Sequence, residues 1–297
     1  LSVRAAIPKL YALEEKYGGL FVGAIKSRRE RRQRKEIAKD RAKLFSFTDG
    51  MQTLPAAISA ELGDAVKLDA TVENIIPMRA GRLPIYTVTF TQQGIRQTID
   101  AGAVVLATPA SGTAGIIRPI DPEMAGRLEL VYYPPVAEVF LGFKLDQIGR
   151  ALDGFGFLVP AAEQRNILGS IWSSVLFPGR APEGCAAFTT FIGGARQPEL
   201  VSRDDDELVK LALGDLQPLM HITGRPVYTR VTRWQKAIPQ YELGYENFLK
   251  AIDRFEQNFQ GTFICNNYRG GISVGDCVMS ADRTSQRIVN FLNSAKI

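Results

Sequence analysis

The side chains that carry most enzyme chemistry are scarce in this sequence, and that scarcity is its first constraint. His221 is the single histidine among 297 residues, so a multi-histidine metal site is excluded and a Ser/His/Asp triad would have one candidate base. Cys185, Cys265 and Cys277 are widely spaced and form no CxxC, which argues against a disulfide framework, a zinc site or thiol chemistry. What remains is a backbone device. Gly270-Gly271, then Gly275-Asp276, lead into an amphipathic stretch bearing Val278, Ile288, Phe291 and Leu292. A glycine turn feeding a helix N-terminus presents unpaired N–H groups and the positive end of the helix dipole to an anion or a polarised carbonyl. The same pattern also fits a turn that merely caps a structural helix. His221 falls at the end of a predicted helix, where an imidazole suits the dipole; no catalytic side chain is assigned.

The elements that must position this turn can be read from spacing. Pro8 opens a helix with Leu10, Leu13 and Tyr17 on one face, and Gly18-Gly19 stops it. Thr53 caps a second short helix closed by Gly63, with Ile58 and Leu62 on its buried side. Short strands are expected at 66–68, 71–75, 85–90 and 95–99, turning at Gly81-Arg82 and Gln93-Gly94 as a meander. The apolar run 103–107 reads as a strand buried on both faces in the middle of a sheet. Further strands follow at 136–143, 155–159, 168–175 and 186–192, the last two forming an antiparallel pair about the turn-rich 177–184. Ser202 and Asp205 form a capping box for a helix carrying Leu208, Leu211, Leu216 and Leu219. A strand at 227–234, a helix at Phe248, Ile252 and Phe255, and a strand at 262–265 complete the pattern.

The composition, 45% hydrophobic and 23% charged, is that of a globular protein. No run of about 18 apolar residues provides a spanning helix, which leaves peripheral membrane attachment open. The net charge of +5 is local: residues 26–43 hold ten Lys/Arg against three Asp/Glu, leaving 26 against 28 elsewhere. Such a run suits a solvated helix or loop, or an anionic surface. With no aromatic residue inside it there is no platform for stacking bases, and no nucleic-acid partner is expected. The thiol pattern suits a reducing compartment. A cytoplasmic protein is expected, with contact to the inner face of the cytoplasmic membrane left open.

Several ordered motifs together resemble the protoporphyrinogen oxidase family, flavoenzymes of the amine-oxidase-like superfamily. They are LSVRAAIPKLYALEEKYGGL at the start, GMQTLPAAI at 50–58, VVLATPA at 104–110, GFGFLVP at 154–160, TTFIGG at 189–194, AIPQY at 237–241 and NYRGGISVGDCV at 267–278. The resemblance runs through nearly all of the chain. The family's GxGxxG pyrophosphate turn, with its βαβ unit, does not occur in it, so the chain is expected to correspond to the C-terminal two thirds of a family-length protein and to be incomplete as an enzyme by itself.

The resemblance implies an α/β (α+β) fold: a Rossmann-like FAD-binding domain without that first βαβ unit, interrupted by an antiparallel β-rich substrate domain. Residues 1–44 would be the tail of a helical membrane-associating region and a basic linker. Residues 45–110 and 261–297 would belong to the FAD domain, and 111–260 to the substrate domain. For the cofactor FAD the resemblance implies a backbone contact at Val72, a turn at Thr108-Pro109, an aromatic wall at Trp234, and Gly271, Val274, Gly275 and Asp276 beneath the ribityl chain. There Asp276 would accept a hydroxyl or simply cap the helix; Val72 and Trp234 could equally be core residues. For a tetrapyrrole substrate it implies apolar walls at Leu158, Ile171 and Phe191, which ordinary strand packing would also explain. Ile171 departs from a leucine frequent in the family. The implied activity is oxidation of protoporphyrinogen IX with oxygen as acceptor, with room for a homodimer. Alternatives are coproporphyrinogen III oxidation, an amine oxidase or phytoene desaturase, which TTFIGG and AIPQY disfavour, and a non-catalytic segment binding an acidic surface.

Overall fold

A computed structural model describes residues 1–33, 44–80 and 83–294. The Gly81-Arg82 turn and the basic residues 34–43 lie outside the described residues. The chain gathers into two compact units, one from Leu1–Ala38, Asp64–Tyr132 and Ile238–Ile297, the other from Lys39–Gly63 and Tyr133–Ala237. These limits differ from the sequence reading of a substrate domain at 111–260. The helices at Ala110–Ile117 and Pro122–Glu129 pack on each other and fall in the first unit, whereas the GMQTLP segment groups with the second.

In the first unit, α1 (Val3–Ala6), α2 (Pro8–Tyr17) and α3 (Leu20–Gln33) open the chain. Gly18 ends α2 in the left-handed region, as its missing Cβ permits. The meander forms as expected, with β1 (Ala70–Ala80), β2 (Leu83–Gln92) and β3 (Ile95–Ala101) antiparallel in that order. Gln93 and Gly94 both take positive φ, the geometry of a two-residue hairpin turn. Residues 66–68, expected as a strand, are not one. Beyond the meander, β4 (Val104–Leu106) pairs in parallel with β10 (Thr262–Ile264) and, among the described residues, with no other strand. The expectation of a strand buried on both faces is corrected: Leu106 is buried but Val105 is 44% exposed. An unbroken apolar run records what a strand can tolerate, not how many neighbours it has. After β4 come α5 (Ala110–Ile117) and α6 (Pro122–Glu129), and α9 (Tyr245–Asn258) and α10 (Val274–Ser294) flank β10 in sequence.

In the second unit one antiparallel sheet dominates, ordered β6 (Gly156–Leu158), β7 (Ile167–Trp172), β8 (Cys185–Gly193), β5 (Val136–Lys144) and β9 (Tyr228–Trp234). One face is closed by α8 (Asp205–Met220): Val139, Leu141, Phe143, Phe188 and Ile192 of the sheet pack with Leu208, Ala212, Leu216 and Met220. Asp215 of α8 accepts the Asn166 and Ile167 N–H groups at 2.7 and 3.1 Å, pinning the helix to the start of β7. Three local expectations are corrected. The cap of α8 is Asp204, whose carboxylate accepts the Glu207 N–H at 2.8 Å, not Ser202. The strand read at 168–175 stops at Trp172 and gives way to α7 (Ser173–Leu176), because the Ser174 hydroxyl accepts the Ala187 N–H at 3.0 Å in place of a ladder bond. Finally α4 (Thr53–Leu62) starts at Thr53 itself and has no buried residue; Ile58 and Leu62 are about half exposed. Its apolar spacing defines a face without defining what covers it.

Candidate functional site

The glycine turn is built where β4 and β10 end side by side. Parallel strands direct both carboxyl ends the same way, the end at which open α/β sheets bind ligands. From β4 the chain passes through Ala107-Thr108-Pro109 into α5; from β10 it passes through Asn267-Tyr268-Arg269-Gly270-Gly271 into α10. A chain of hydroxyls joins them, Thr108 Oγ1 to Thr113 Oγ1 at 2.9 Å and Thr113 Oγ1 to Tyr268 OH at 3.0 Å. Tyr268 is fully buried, and its carbonyl accepts the Tyr245 hydroxyl at 2.9 Å. Tyr241, the last residue of AIPQY, stacks on Tyr245 at 4.5 Å, donates its hydroxyl to the Asn267 carbonyl at 2.6 Å and receives the Gly271 N–H at 3.3 Å. The structure thus brings Thr108, Pro109 and the Gly271–Asp276 turn to one end of the unit.

Below the turn lies an ion cluster that sequence reasoning missed. Buried Glu256 of α9 accepts Arg269 in a bidentate pair, Arg287 at 2.6 Å and the Ile264 N–H at 2.8 Å. Burial alone would raise this carboxyl. The hydrogen bonds and charge of Arg269, with the Ile264 N–H and Arg287, outweigh burial and hold it below the usual carboxylate range. The one available signal was Arg269 inside the quoted NYRGG motif.

At the start of α10, Ser273 caps the helix: the Asp276 N–H donates to Ser273 Oγ at 3.1 Å, and the Ser273 hydroxyl in turn donates to Asp276 Oδ2 at 2.6 Å. Exposed Val274 and Gly275 occupy the first turn, whose N–H groups have no intrahelical acceptor. A Cβ added at Gly275 would enter open space, whereas at Gly271, with φ +125°, it would meet Asp276 Cβ at 2.5 Å. Glycine at 271 is therefore needed for the turn, and the space beside 275 is open to a ligand's polar edge. Cys277, whose thiol burial pushes up, remains protonated. Val72 lies in β1 at the edge of the meander, opposite Phe90 and beside a bulge; at 39% exposure it is not a core valine.

The second unit carries the other expected residues. Strand register places Leu158, Gly169, Phe191, Glu138 and Thr232 in one row across the sheet, and Gly156, Ile171, Thr189, Phe140 and Arg230 in the next. Residues paired across strands, or two apart along one, share a face. Leu158, Ile171 and Phe191 consequently stand together on the face opposite α8. Leu158 is 88% exposed and Ile171 38%, so neither is strand core. Trp234, expected at the cofactor, belongs to this same face, opposite Val136; it is half exposed and its indole donates to Glu138 at 3.2 Å, which sets aside a buried core indole. His221 is the C-cap of α8 in the left-handed region and exposed. Among the described residues no group of His, Cys, Asp and Glu could hold a metal, and no helix is long and apolar enough to cross a membrane.

Known proteins resemble this chain along most of its length. The chain is 30% identical to protoporphyrinogen oxidase 2, chloroplastic/mitochondrial, of Arabidopsis thaliana, over 99% of its own length and 61% of that protein's. It is 25% identical to coproporphyrinogen III oxidase of Bacillus subtilis over 94% of its length and 58% of the relative's. The chain therefore spans about three-fifths of the curated relatives it matches. Among solved structures, an Exiguobacterium sp. protein assigned to the protoporphyrinogen oxidases superposes with a TM-score of 0.71 at 19% identity, covering 97% of this chain and 59% of that one. Cyclohexylamine oxidase from Brevibacterium oxydans gives 0.61 at 16% identity, covering 82% and 53%. These likenesses show the α/β fold of FAD-dependent amine oxidases, and FAD is the cofactor that the open helix start and its glycine turn fit. With residues 1–289 matching its description, the chain belongs to the family of flavin containing amine oxidoreductases.

Proposed function

We propose that this chain carries the tetrapyrrole-facing sheet and part of the flavin-holding machinery of an oxidase that converts protoporphyrinogen IX to protoporphyrin IX. Oxygen is its acceptor. The observation that supports this best is the placement of Leu158, Ile171 and Phe191 on one sheet face, with Leu158 and Ile171 exposed and Phe191 half-buried. A flat, largely apolar macrocycle needs such a wall and few polar groups.

FAD, when bound, supplies the redox chemistry by accepting hydride equivalents from the substrate and returning electron pairs to oxygen, with peroxide as product. The protein's part is orientation. The Val274 and Gly275 N–H groups at the open start of α10 would hold the polar end of the flavin, and Asp276 would accept a ribityl hydroxyl. The Val72 backbone would meet the adenine, and the Thr108-Pro109 turn would flank the cofactor. The sheet face would hold the macrocycle mainly by apolar contact, and the reading asks no catalytic role of His221, the exposed, left-handed C-cap of α8.

The test is Phe191→Ala in a complete, flavin-loaded protein that carries this chain, with thermal stability and steady-state kinetics measured on one preparation. The expected outcome is a loss of kcat/KM of about tenfold or more with the flavin spectrum intact. Using protoporphyrinogen and coproporphyrinogen side by side also identifies the preferred tetrapyrrole. Unchanged kinetics on both would remove the wall assignment.

A further inference from the structure

Next to the apolar wall, on the same sheet face, lies a cavity of about 620 Å³ that the reading above leaves unused. Its sheet side is formed by Glu138, Phe140, Thr189, Tyr228 and Arg230, and Arg180 faces it from the chain that follows β7. The two arginines differ. Arg180 donates to Ser46 Oγ and to the Phe47 carbonyl, both at 2.8 Å, and so fixes the cavity's outer lip. Arg230 is exposed, and among the described residues no side chain or carbonyl pairs with it. The carboxylate lining this cavity, Glu138, is engaged by the Trp234 indole. Two guanidinium groups thus stand against one carboxylate at the rim of an apolar surface.

Register fixes how far this cation lies from the wall. Arg230 faces Phe140, which faces Thr189, which faces Ile171. Arg230 is therefore two strand spacings, about 10 Å, from the strand that bears Phe191, and three from Ile171. Phe140 and Tyr228, in edge contact at 5.9 Å, line the interval with aromatic surface. A ligand lying flat on Phe191 and Ile171 would reach Arg230 with a peripheral arm, and the planar guanidinium fork matches a carboxylate at its end.

We infer that Arg230 is a binding residue for a peripheral carboxylate of the substrate, with Arg180 shaping the lip of the same cavity. This rests on the tetrapyrrole reading and deepens it by naming a determinant for the acid side chains. The prediction is a preference for free acid over ester that depends on Arg230.

The experiment measures binding and turnover separately. Mesoporphyrin, a stable dicarboxylate, and its dimethyl ester are titrated by fluorescence quenching into a complete, flavin-loaded protein that carries this chain, as wild type, Arg230→Gln and Arg230→Lys. Protoporphyrinogen and its dimethyl ester are then compared kinetically. Wild type should bind the acid about tenfold or more tightly than the ester, as a charge-assisted hydrogen bond requires. R230Q should lose most of that preference, and R230K should recover part of it. Equal acid-over-ester preference in wild type and R230Q, or no preference in wild type, would overturn the inference. A wild type that prefers the acid in binding but oxidises neither porphyrinogen would instead sink the oxidase reading while leaving the Arg230 site standing.

Discussion

The two candidate binding surfaces of this chain are made of different materials. On the five-stranded sheet the surface is made of side chains, Leu158, Ile171, Phe191 and Trp234 projecting from strands whose opposite face is sealed by α8. At the start of α10 it is made of backbone: N–H groups, a left-handed glycine pair and a cap between Ser273 and Asp276. The difference teaches what each tolerates. A side-chain surface is damaged by truncation, whereas a backbone surface is damaged by an added atom, as the Cβ at Gly271 would show. Each also depends on a support of its own kind, a hydrophobic core under the sheet and an ion cluster under the turn.

The core gives the largest expected effect. Phe188 is fully buried and in edge contact with Phe143 at 5.9 Å. Phe188→Ala should cost about 3–5 kcal/mol of stability, read as a lowered midpoint in urea unfolding. Phe191, only three residues on but on the opposite face, should cost far less. Equal losses at both positions would break the distinction between the sealed and open faces.

The ion cluster should respond to pH where the core does not. A carboxyl held below its ordinary value of 4.5 when folded binds a proton more readily unfolded. The stability contributed by Glu256 is therefore fully present above that value and falls away as pH drops through the depressed folded value. Glu256→Gln should cost about 3 kcal/mol at neutral pH, since it strips a shared partner from Arg269 and Arg287. It should also flatten the acid limb of the stability profile. An unchanged acid limb in E256Q would show that other carboxylates carry the acid sensitivity.

The sequence made the two materials unequally legible. Alternation located β5 and β8 closely, because half-buried antiparallel strands write their faces at period two. The same alternation, with register, is what puts Leu158, Ile171 and Phe191 on one face, although their roles came from motif resemblance. Edges and covers were not legible: Val105, Ile58 and Leu62 are apolar yet exposed, and spacing carries no information about a neighbour. Caps shifted by a residue or two where candidates crowd, as at Ser202, Asp204 and Asp205. The Glu256 cluster was invisible because its members, Glu256, Arg269 and Arg287, sit on three segments that only folding brings together. The cap at Ser273, by contrast, was legible as a serine three residues before Asp276 at the start of an amphipathic stretch.

That cap supplies the smallest and most discriminating test of the backbone surface. Asp276 has a structural role, receiving the Ser273 hydroxyl at 2.6 Å, and a proposed one toward a ribityl hydroxyl. Ser273→Ala removes the cap but keeps the carboxylate, so it should cost about 1 kcal/mol of stability and leave FAD affinity nearly unchanged. Asp276→Ala keeps the backbone N–H that Ser273 caps, so it should cost no more stability than Ser273→Ala and, in addition, weaken FAD by about 1–3 kcal/mol if a cofactor hydroxyl is accepted there. Flavin affinity is measured on the folded fraction of each variant, by titration of deflavinated protein, so that unfolding does not masquerade as weak binding. Parallel behaviour of the two variants would reduce Asp276 to a helix cap. A selective loss in D276A would assign its carboxylate to the cofactor, since both substitutions remove the bond between Ser273 Oγ and that carboxylate but only D276A removes the carboxylate itself.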